Sequence, residues 1–314
     1  ARASGSGFPF RNLFSRLGRG MDMTIERVAV TGGNGKIGEA ILREFVDHGY
    51  HAINVARGKQ REDESDEYRT TDLLDAGETY GALAASDADA VVHMGTIPHP
   101  VSHAEHAVFE SNAMSAYHVL EAASSLGLEA IVLPSSINVM GAAYQEAPTD
   151  VRYLKVDEEH PLTPRDPYAL GKHATEAAGD GFGRRPDTPQ IASLRYPWVA
   201  TSEQLRERFT DRDRSLAGIR AARHSGEDTL FSYLHVDAAA SIARRCVEAD
   251  FEGHEPFWAV ASDTTAAVPS DDLAAEFYPD ADRRAELSGT ESLISIEKAH
   301  DVLGWEPERS WRNL

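Results

Sequence analysis

Tyr168 and Lys172 stand four residues apart in Tyr168-Ala-Leu-Gly-Lys172, a spacing that puts both side chains on one face of a helix. A phenol with a reference pKa of about 10 is a poor base at neutral pH, and a neighbouring ammonium lowers it. Tyr168 is therefore the candidate acid/base, with Lys172 as its tuner and as a contact to a cofactor ribose. Ser135-Ser136 lies upstream, and Ser136 is the expected hydrogen-bond partner of a reacting oxygen, with Ser135 as the alternative. Earlier still, Gly32-x-x-Gly35-x-x-Gly38 has the spacing of a turn that cradles a pyrophosphate. Together the motifs point to hydride transfer to or from a nicotinamide.

These groups need a scaffold. Arg27-Val-Ala-Val-Thr31 reads as a buried parallel strand, and Ile37 to His48 carries helical apolar spacing at Ile37, Ala40, Ile41 and Phe45. In that context Gly32 permits the tight turn, Gly35 lets a pyrophosphate approach the backbone, and Gly38 lets the helix pack closely. Strands are expected at His51 to Ala56, Tyr68 to Asp72, Ala90 to Met94, Ala130 to Pro134 and Gln190 to Tyr196, with a long helix at Ala104 to Leu126. The alternation predicts an α/β fold, a Rossmann-type doubly wound parallel sheet. Segments rich in Pro and charge, Gln145 to Arg165 and Thr201 to Asp228, are expected to form a smaller, discontinuous substrate-binding cap. Residues 21–200 are then mainly the dinucleotide-binding domain, and 201–314 mainly the cap with segments returning to the first domain.

The second strand ends in Ala56-Arg57-Gly58-Lys59. An acid at this position suits a free ribose 2′-hydroxyl, whereas an arginine suits a 2′-phosphate. Arg57 offers a planar fork, and Lys36 or Lys59 can add a point charge, so NADP is expected over NAD, with NAD as the alternative. Arg57 as a solvated loop residue is the competing reading, since Glu62, Asp63 and Glu64 follow closely.

Composition narrows the class. The 314 residues carry 51 acids against 31 Lys and Arg, a formal charge of −20, which argues against a nucleic-acid partner. Lysines are confined to Lys36, Lys59, Lys155, Lys172 and Lys298, and the acids are dispersed, a texture similar to proteins of salt-loving organisms. No apolar stretch is long enough to span a bilayer. Cys246 is the single cysteine, which excludes an intrachain disulfide and fits a reducing cytoplasm. Residues 1–20 contain Arg2, Arg11, Arg16 and Arg19 but no acid. They are expected to be an expression-derived leader, with a transit peptide as the alternative.

The ordered segments Thr31-Gly-Gly-Asn-Gly-Lys-Ile-Gly38, Asp72, Val91-Val-His-Met-Gly95, Asn112 to Glu121-Ala-Ala, Ser135-Ser136, Tyr168 to Lys172, Leu194-Arg-Tyr-Pro197, His235-Val-Asp237 and Ala299 to Pro307 resemble the extended short-chain dehydrogenase/reductase family. The family includes nucleotide-sugar epimerases, dehydratases and sugar dehydrogenases. The resemblance implies catalytic residues Ser136, Tyr168 and Lys172. It implies cofactor contacts at Gly32, Gly35, Lys36, Ile37, Arg57, Asp72, Leu73, Met94, Gly95, Lys172 and Tyr196. Substrate contacts are expected at Thr96, His99, Asn112, Ser136, Asn138 and Arg195. His99, His103 and His106 have spacings that suggest a metal, but hydride chemistry of this family needs none, and no metal is expected.

Within the family, Ser135-Ser-Ile-Asn-Val-Met-Gly141 lacks the Asp-Glu pair of the dehydratases and has Met140 where tyrosine is usual in epimerases. It is similar to the segment in aldose and uronate dehydrogenases. The implied reaction is NADP-dependent oxidation of a free aldose at its anomeric carbon to a lactone, with L-arabinose or a related pentose as the expected sugar. An NAD-dependent nucleotide-sugar epimerase and a nonenzymatic dinucleotide sensor are the alternatives, the sensor being disfavoured by the intact Ser/Tyr/Lys set. A homo-oligomer is expected.

Overall fold

A computed structural model describes residues 25–144, 149–222 and 226–314. The expected leader lies outside them, as do residues 145–148 of the first cap segment. Seven strands form one parallel sheet: β1 (Arg27–Thr31), β2 (His51–Ala56), β3 (Glu67–Thr70), β4 (Ala90–His93), β5 (Ala130–Ser136), β6 (Gln190–Tyr196) and β7 (His254–Trp258), in the order β3-β2-β1-β4-β5-β6-β7. The order reverses between β1 and β4, which opens a crevice at the carboxyl ends of the strands.

Both faces of the sheet are covered, so its central strands β1, β4 and β5 are nearly continuous buried apolar runs rather than alternating. Val28, Val30, Ala90, Val92 and Val132 meet helix α1 (Lys36–Asp47) and a later helix, Val236–Glu248, through Ile41, Phe45 and Ile242. Ala29, Ile53, Val91, Ile131 and Ile191 meet the opposite layer, helices α2 (Ala76–Ser86), α3 (Glu105–Leu126) and α4 (Pro167–Gly183), through Leu83, Leu120 and Phe182. A further core lies beyond the strand ends, where Met140, Leu154, Ile219, Phe231, Trp258, Leu273 and Leu293 pack together. Two short parallel pairs stiffen that region, Tyr153–Leu154 with Asp282–Arg283 and Val199–Ala200 with Leu234–His235.

The predicted strands and the long helix occur within a few residues of their expected bounds. The one sheet strand the sequence reading lacks is β7. Its His254-Glu-Pro-Phe-Trp258 has three half-buried positions and a proline. An edge strand tolerates both, because one side of its backbone faces away from the sheet and needs no donor from Pro256.

Candidate active site

The turn after β1 is built by steric necessity. Gly32 has φ +70°, and a Cβ there would lie 2.7 Å from the backbone of Gly95. A Cβ on Gly38 would strike the carbonyl oxygen of Gly32, so this glycine keeps α1 close to the turn itself. Gly35 is the N-cap of α1; its N–H donates to Gly32 O at 2.9 Å, and a Cβ there would meet only that oxygen, at 3.3 Å. The α1 amino end thus presents its free N–H groups toward the switch-point crevice, a cradle that fits a dinucleotide pyrophosphate. Ile37 lies in the first turn of α1, half-buried against the α1 side of the core.

Beneath this turn runs a buried polar chain that the sequence reading missed. Thr31 Oγ1 accepts from the N–H groups of Met94 and Gly95 at 3.0 and 3.1 Å, which leaves its proton for His93 Nδ1 at 2.7 Å. His93 Nε2 then donates to Ser115 Oγ at 3.0 Å, and Ser115 donates to Ser111 O at 2.6 Å. Burial, with a smaller contribution from Lys172, pushes the His93 imidazole down to about 3, so it remains neutral. The chain fixes the ends of β1 and β4. Leu73 occupies the space that a Cβ on Gly95 would need, and Met94 is half-buried beside α1. Asp72 is exposed and shapes the entry to α2, its carboxylate accepting from Leu74 N–H at 3.1 Å.

At the end of β2, Arg57 and Lys59 are exposed, and among the described residues neither side chain makes a hydrogen bond or ion pair. Lys36 does not join them. Its ammonium, held below the usual lysine range by burial, donates to Val199 O at 2.5 Å and Gln204 Oε1 at 3.3 Å. That is the segment after β6, on the other side of β1 from Arg57 in the sheet, so the expectation of Lys36 as a second charge beside Arg57 is corrected.

Ser136, Tyr168 and Lys172 converge at the carboxyl ends of β4 and β5. Asp166 caps α4 by accepting from the N–H groups of Tyr168 and Ala169 at 2.9 and 3.0 Å, and Pro167 occupies the first helical turn. The Ser136 hydroxyl favours the ionised form of the Tyr168 phenol and donates to Asn138 Oδ1 at 3.1 Å. Asn138 is 5% exposed, yet its Nδ2 is enclosed without a partner among the described residues, an unused donor beside the Ser136 hydroxyl. Ser135 does not compete for the role of Ser136, because its hydroxyl donates to Glu176 Oε1 at 2.5 Å.

The electrostatics differ from the sequence expectation. Burial pushes Tyr168 up to about 12, opposed by Ser136, and Lys172 is not among the groups that shift it. Lys172 itself is 2% exposed, and burial pushes it down to about 7. Its Nζ lies 5.5 Å from the Tyr168 ring centre and donates to half-buried Thr96 Oγ1 at 3.3 Å. Both groups therefore favour their neutral forms in this state, and the expected tuning of the phenol by Lys172 is absent from it.

Three other expected contacts fall elsewhere. Arg195 is 3% exposed and pairs bidentately with Glu176, Nε to Oε1 at 2.9 Å and Nη2 to Oε2 at 2.8 Å. Its remaining nitrogen donates to Glu158 O at 3.2 Å, so the substrate role is corrected to a structural one. Tyr196 donates its hydroxyl to Ala239 O at 3.0 Å inside the core, which takes its side chain away from any cofactor. Asn112 is fully buried, and its amide nitrogen serves Ile97 O at 3.1 Å and Val108 O at 2.8 Å. It braces the loop that carries Thr96 rather than offering a donor to substrate. His99 is half-buried with an unpartnered Nδ1, and no group of His, Cys, Asp and Glu among the described residues could hold a metal.

A glycine turn at the switch point and a tyrosine/lysine helix at the crevice define a Rossmann-type dinucleotide-dependent enzyme. The NAD dependent epimerase/dehydratase family matches residues 28–256, and the chain belongs to that family, among NAD(P)-dependent oxidoreductases and epimerases. A UDP-glucose 4-epimerase candidate of Methanocaldococcus jannaschii is 29% identical over 155 residues, spanning 48% of this chain and about half, 48%, of that protein's length. An L-arabinose 1-dehydrogenase (NAD(P)+) of Haloferax volcanii is 27% identical over 201 residues, 62% of this chain and 76% of that protein. Among solved structures, a glucuronic acid dehydrogenase from Chromohalobacter salexigens shares the fold with TM-score 0.65 at 22% identity, covering 92% of this chain and 87% of the other. A UDP-galactose 4-epimerase does so with TM-score 0.62 at 20% identity, covering 90% and 94%.

The lowered pKa of Lys172 makes a stability prediction. Between about 7 and the ordinary value of 10.5, the unfolded chain holds a proton at this position that the folded chain does not. Stability contributed by this site therefore rises with pH across that window. Lys172→Met is expected to be more stable than the parent at pH 6, with the gap closing toward pH 10. Thermal unfolding of both proteins across that range checks it; a constant gap contradicts the assignment.

Proposed function

We propose that this protein oxidises a free aldose at its anomeric carbon to the lactone, with NADP as the preferred cofactor and L-arabinose or a related pentose as the sugar. The observation that carries the reading is the convergence of Ser136, Tyr168 and Lys172 with the unused Asn138 donor. A groove of about 450 Å³ adjoins the start of α4, with Tyr144, Arg165, Asp166 and Leu170 in its walls. That volume suits a small ligand. The Haloferax relative supports the choice of sugar.

The residues divide the work as follows. Ser136 and Asn138 orient the anomeric hydroxyl, and Tyr168 takes its proton as the C1–H bond breaks. Gly32, Gly35 and the amino end of α1 would hold the pyrophosphate of a dinucleotide, whose oxidised nicotinamide would supply the hydride acceptor and a positive charge beside the phenol. Burial holds the phenol near 12, so a positive charge beside it would favour the ionised form that takes the proton. Lys172 serves the same end once protonated, from a position where it reaches Thr96 beyond the end of β4. NADP is favoured by the unpaired, exposed Arg57 and Lys59 at the end of β2. Residues 21–200 mainly bind the dinucleotide and 201–314 mainly form the cap. Exposed Phe109, Met114 and Tyr117 on α3 and Leu170 on α4 support a homo-oligomer.

A salt-controlled panel of aldoses, uronates and nucleotide sugars with NAD and NADP, followed by absorbance of the reduced nicotinamide, tests the reaction. Net NADPH formation with a free pentose is expected. Interconversion of nucleotide sugars without net reduction would support the epimerase alternative and overturn the proposal. Tyr168→Phe should keep dinucleotide affinity and lower turnover by about 10²- to 10⁴-fold; turnover near the parental rate contradicts the role of the phenol.

Arg57→Ala should weaken NADP relative to NAD by about 1–3 kcal/mol through loss of a charge-assisted bond. An unchanged ratio in calorimetric titrations would make Arg57 a bystander.

A further inference from the structure

The loop from Arg57 to Asp66, which carries the candidate phosphate-reading cations, is secured at its two ends by backbone ties. At the near end the Tyr68 hydroxyl lies within 3.2 Å of the carbonyls of Ala56 and Gly58, and Thr70 donates to Gly58 O at 3.1 Å. At the far end Asp66 N–H donates to Ala52 O at 2.9 Å, and the Asp66 carboxylate accepts from Ala52 N–H at 2.9 Å. Between them, the loop reaches the body of the domain chiefly through Asp63.

Asp63 Oδ2 accepts from Asn54 Nδ2 at 2.8 Å, and Oδ1 accepts from Ser65 N–H at 2.8 Å and from the Ser65 hydroxyl. Asn54 is a fully buried amide in the otherwise apolar strand β2. Its second amide hydrogen goes to Asn34 Oδ1 at 3.2 Å, and it fills the space where a Cβ on Gly33 would stand. Asn34 lies in the glycine turn, and its carbonyl accepts from Arg61 of the same loop at 3.4 Å. One buried amide thus joins the pyrophosphate turn to a carboxylate on the loop.

We infer that Asp63 is a positioning residue for cofactor selectivity: through Asn54 and Asn34 it holds the part of the loop that carries Lys59 and Arg61 against the glycine turn, beside Arg57, where these cations would meet a ribose 2′-phosphate. The inference rests on the NADP preference proposed above. Both Asp63 oxygens are occupied by donors of the chain itself, so the carboxylate acts as a tether and its charge is partly answered by those N–H and O–H groups. A loop released from this tether keeps its ends, and with them Arg57, but loses the placement of Lys59 and Arg61. The selectivity consequence follows from geometry, because a phosphate contact is directional and a neutral 2′-hydroxyl leaves the same cations without a partner.

The experiment is calorimetric titration of the full chain with NADP and with NAD, on the parent, Asp63→Ala and Asp63→Asn, with thermal unfolding of each. Asp63→Ala is expected to weaken NADP by about five- to twenty-fold, the scale of one charge-assisted contact, and to leave NAD within about twofold. Asp63→Asn retains an oxygen for Asn54 and should recover most of the preference. Three results overturn the inference: both dinucleotides weakening together, neither changing while the unfolding temperature falls, or NADP binding more tightly because a repelling carboxylate was removed. A parent that binds the two dinucleotides equally overturns the NADP reading itself and the selectivity inference with it. That result is read from the parent alone, whereas a parent preference that persists in Asp63→Ala sinks only the tether.

Discussion

The site depends on one buried ion pair. Glu176 on α4 and Arg195 on β6 are 6% and 3% exposed at their side chains, and two charges so far from water are tolerated only when their geometry is nearly complete. Here it is: the guanidinium fork meets both carboxylate oxygens, Ser135 adds a donor from β5, and Arg195 reaches Glu158 O and stacks 5.0 Å from the Trp258 ring. Ser135, Arg195 and Trp258 are register partners across β5, β6 and β7. The pair therefore ties α4 to three strands at once. Glu176 lies on the same face of α4 as Tyr168 and Lys172, so anchoring it sets the rotation that aims both at the crevice.

That docking has an electrostatic cost which the site appropriates. Lys172 and Tyr168 are pressed into surroundings that favour their neutral forms, about 7 for the amine and about 12 for the phenol. The histidine beneath them is likewise neutral and its hydrogen bonds are complete. Few charges face these groups, Asp166 at the start of α4 being one that raises the phenol, so a further charge beside them acts strongly in surroundings of low polarisability. The phenol is in this sense poised to be changed by what binds beside it, and in the proposed reaction its proton transfer belongs to the assembled complex.

Much of this architecture was legible in local pattern. The run Arg27 to Thr31, its glycine turn and the following amphipathic helix specify one another over a short stretch, and Tyr168 with Lys172 announces a helix face by spacing alone. What escaped depends on partners distant in the chain. Arg195 reads as a free cation until Glu176, nineteen positions earlier on another element, is brought beside it. Glu176 itself continues the Tyr168/Lys172 face by one further turn, a signal present in the spacing. Tyr196 looks like an available hydroxyl until the carbonyl of Ala239 closes on it. Asn54 interrupts an apolar strand, which marks a buried polar contact, but its partner Asp63 sits in a charged loop indistinguishable from solvent-facing neighbours. Strand β7 lacks an apolar signature because His254-Glu-Pro256, its first three residues, are only half-buried at the edge of the sheet.

The most direct test of this account is Arg195→Met, which keeps an apolar stem against Trp258 while leaving Glu176 buried without its partner. The account predicts a loss of about 3–5 kcal/mol in denaturant unfolding. At a temperature where the variant remains folded, it also predicts a lower kcat from the misaimed α4, with KM for the sugar within about twofold of the parent, a change too small to count as loss of a substrate contact. Unaltered stability together with a large rise in the sugar KM would mean that Arg195 binds substrate, and would contradict the claim that this ion pair seats the catalytic helix.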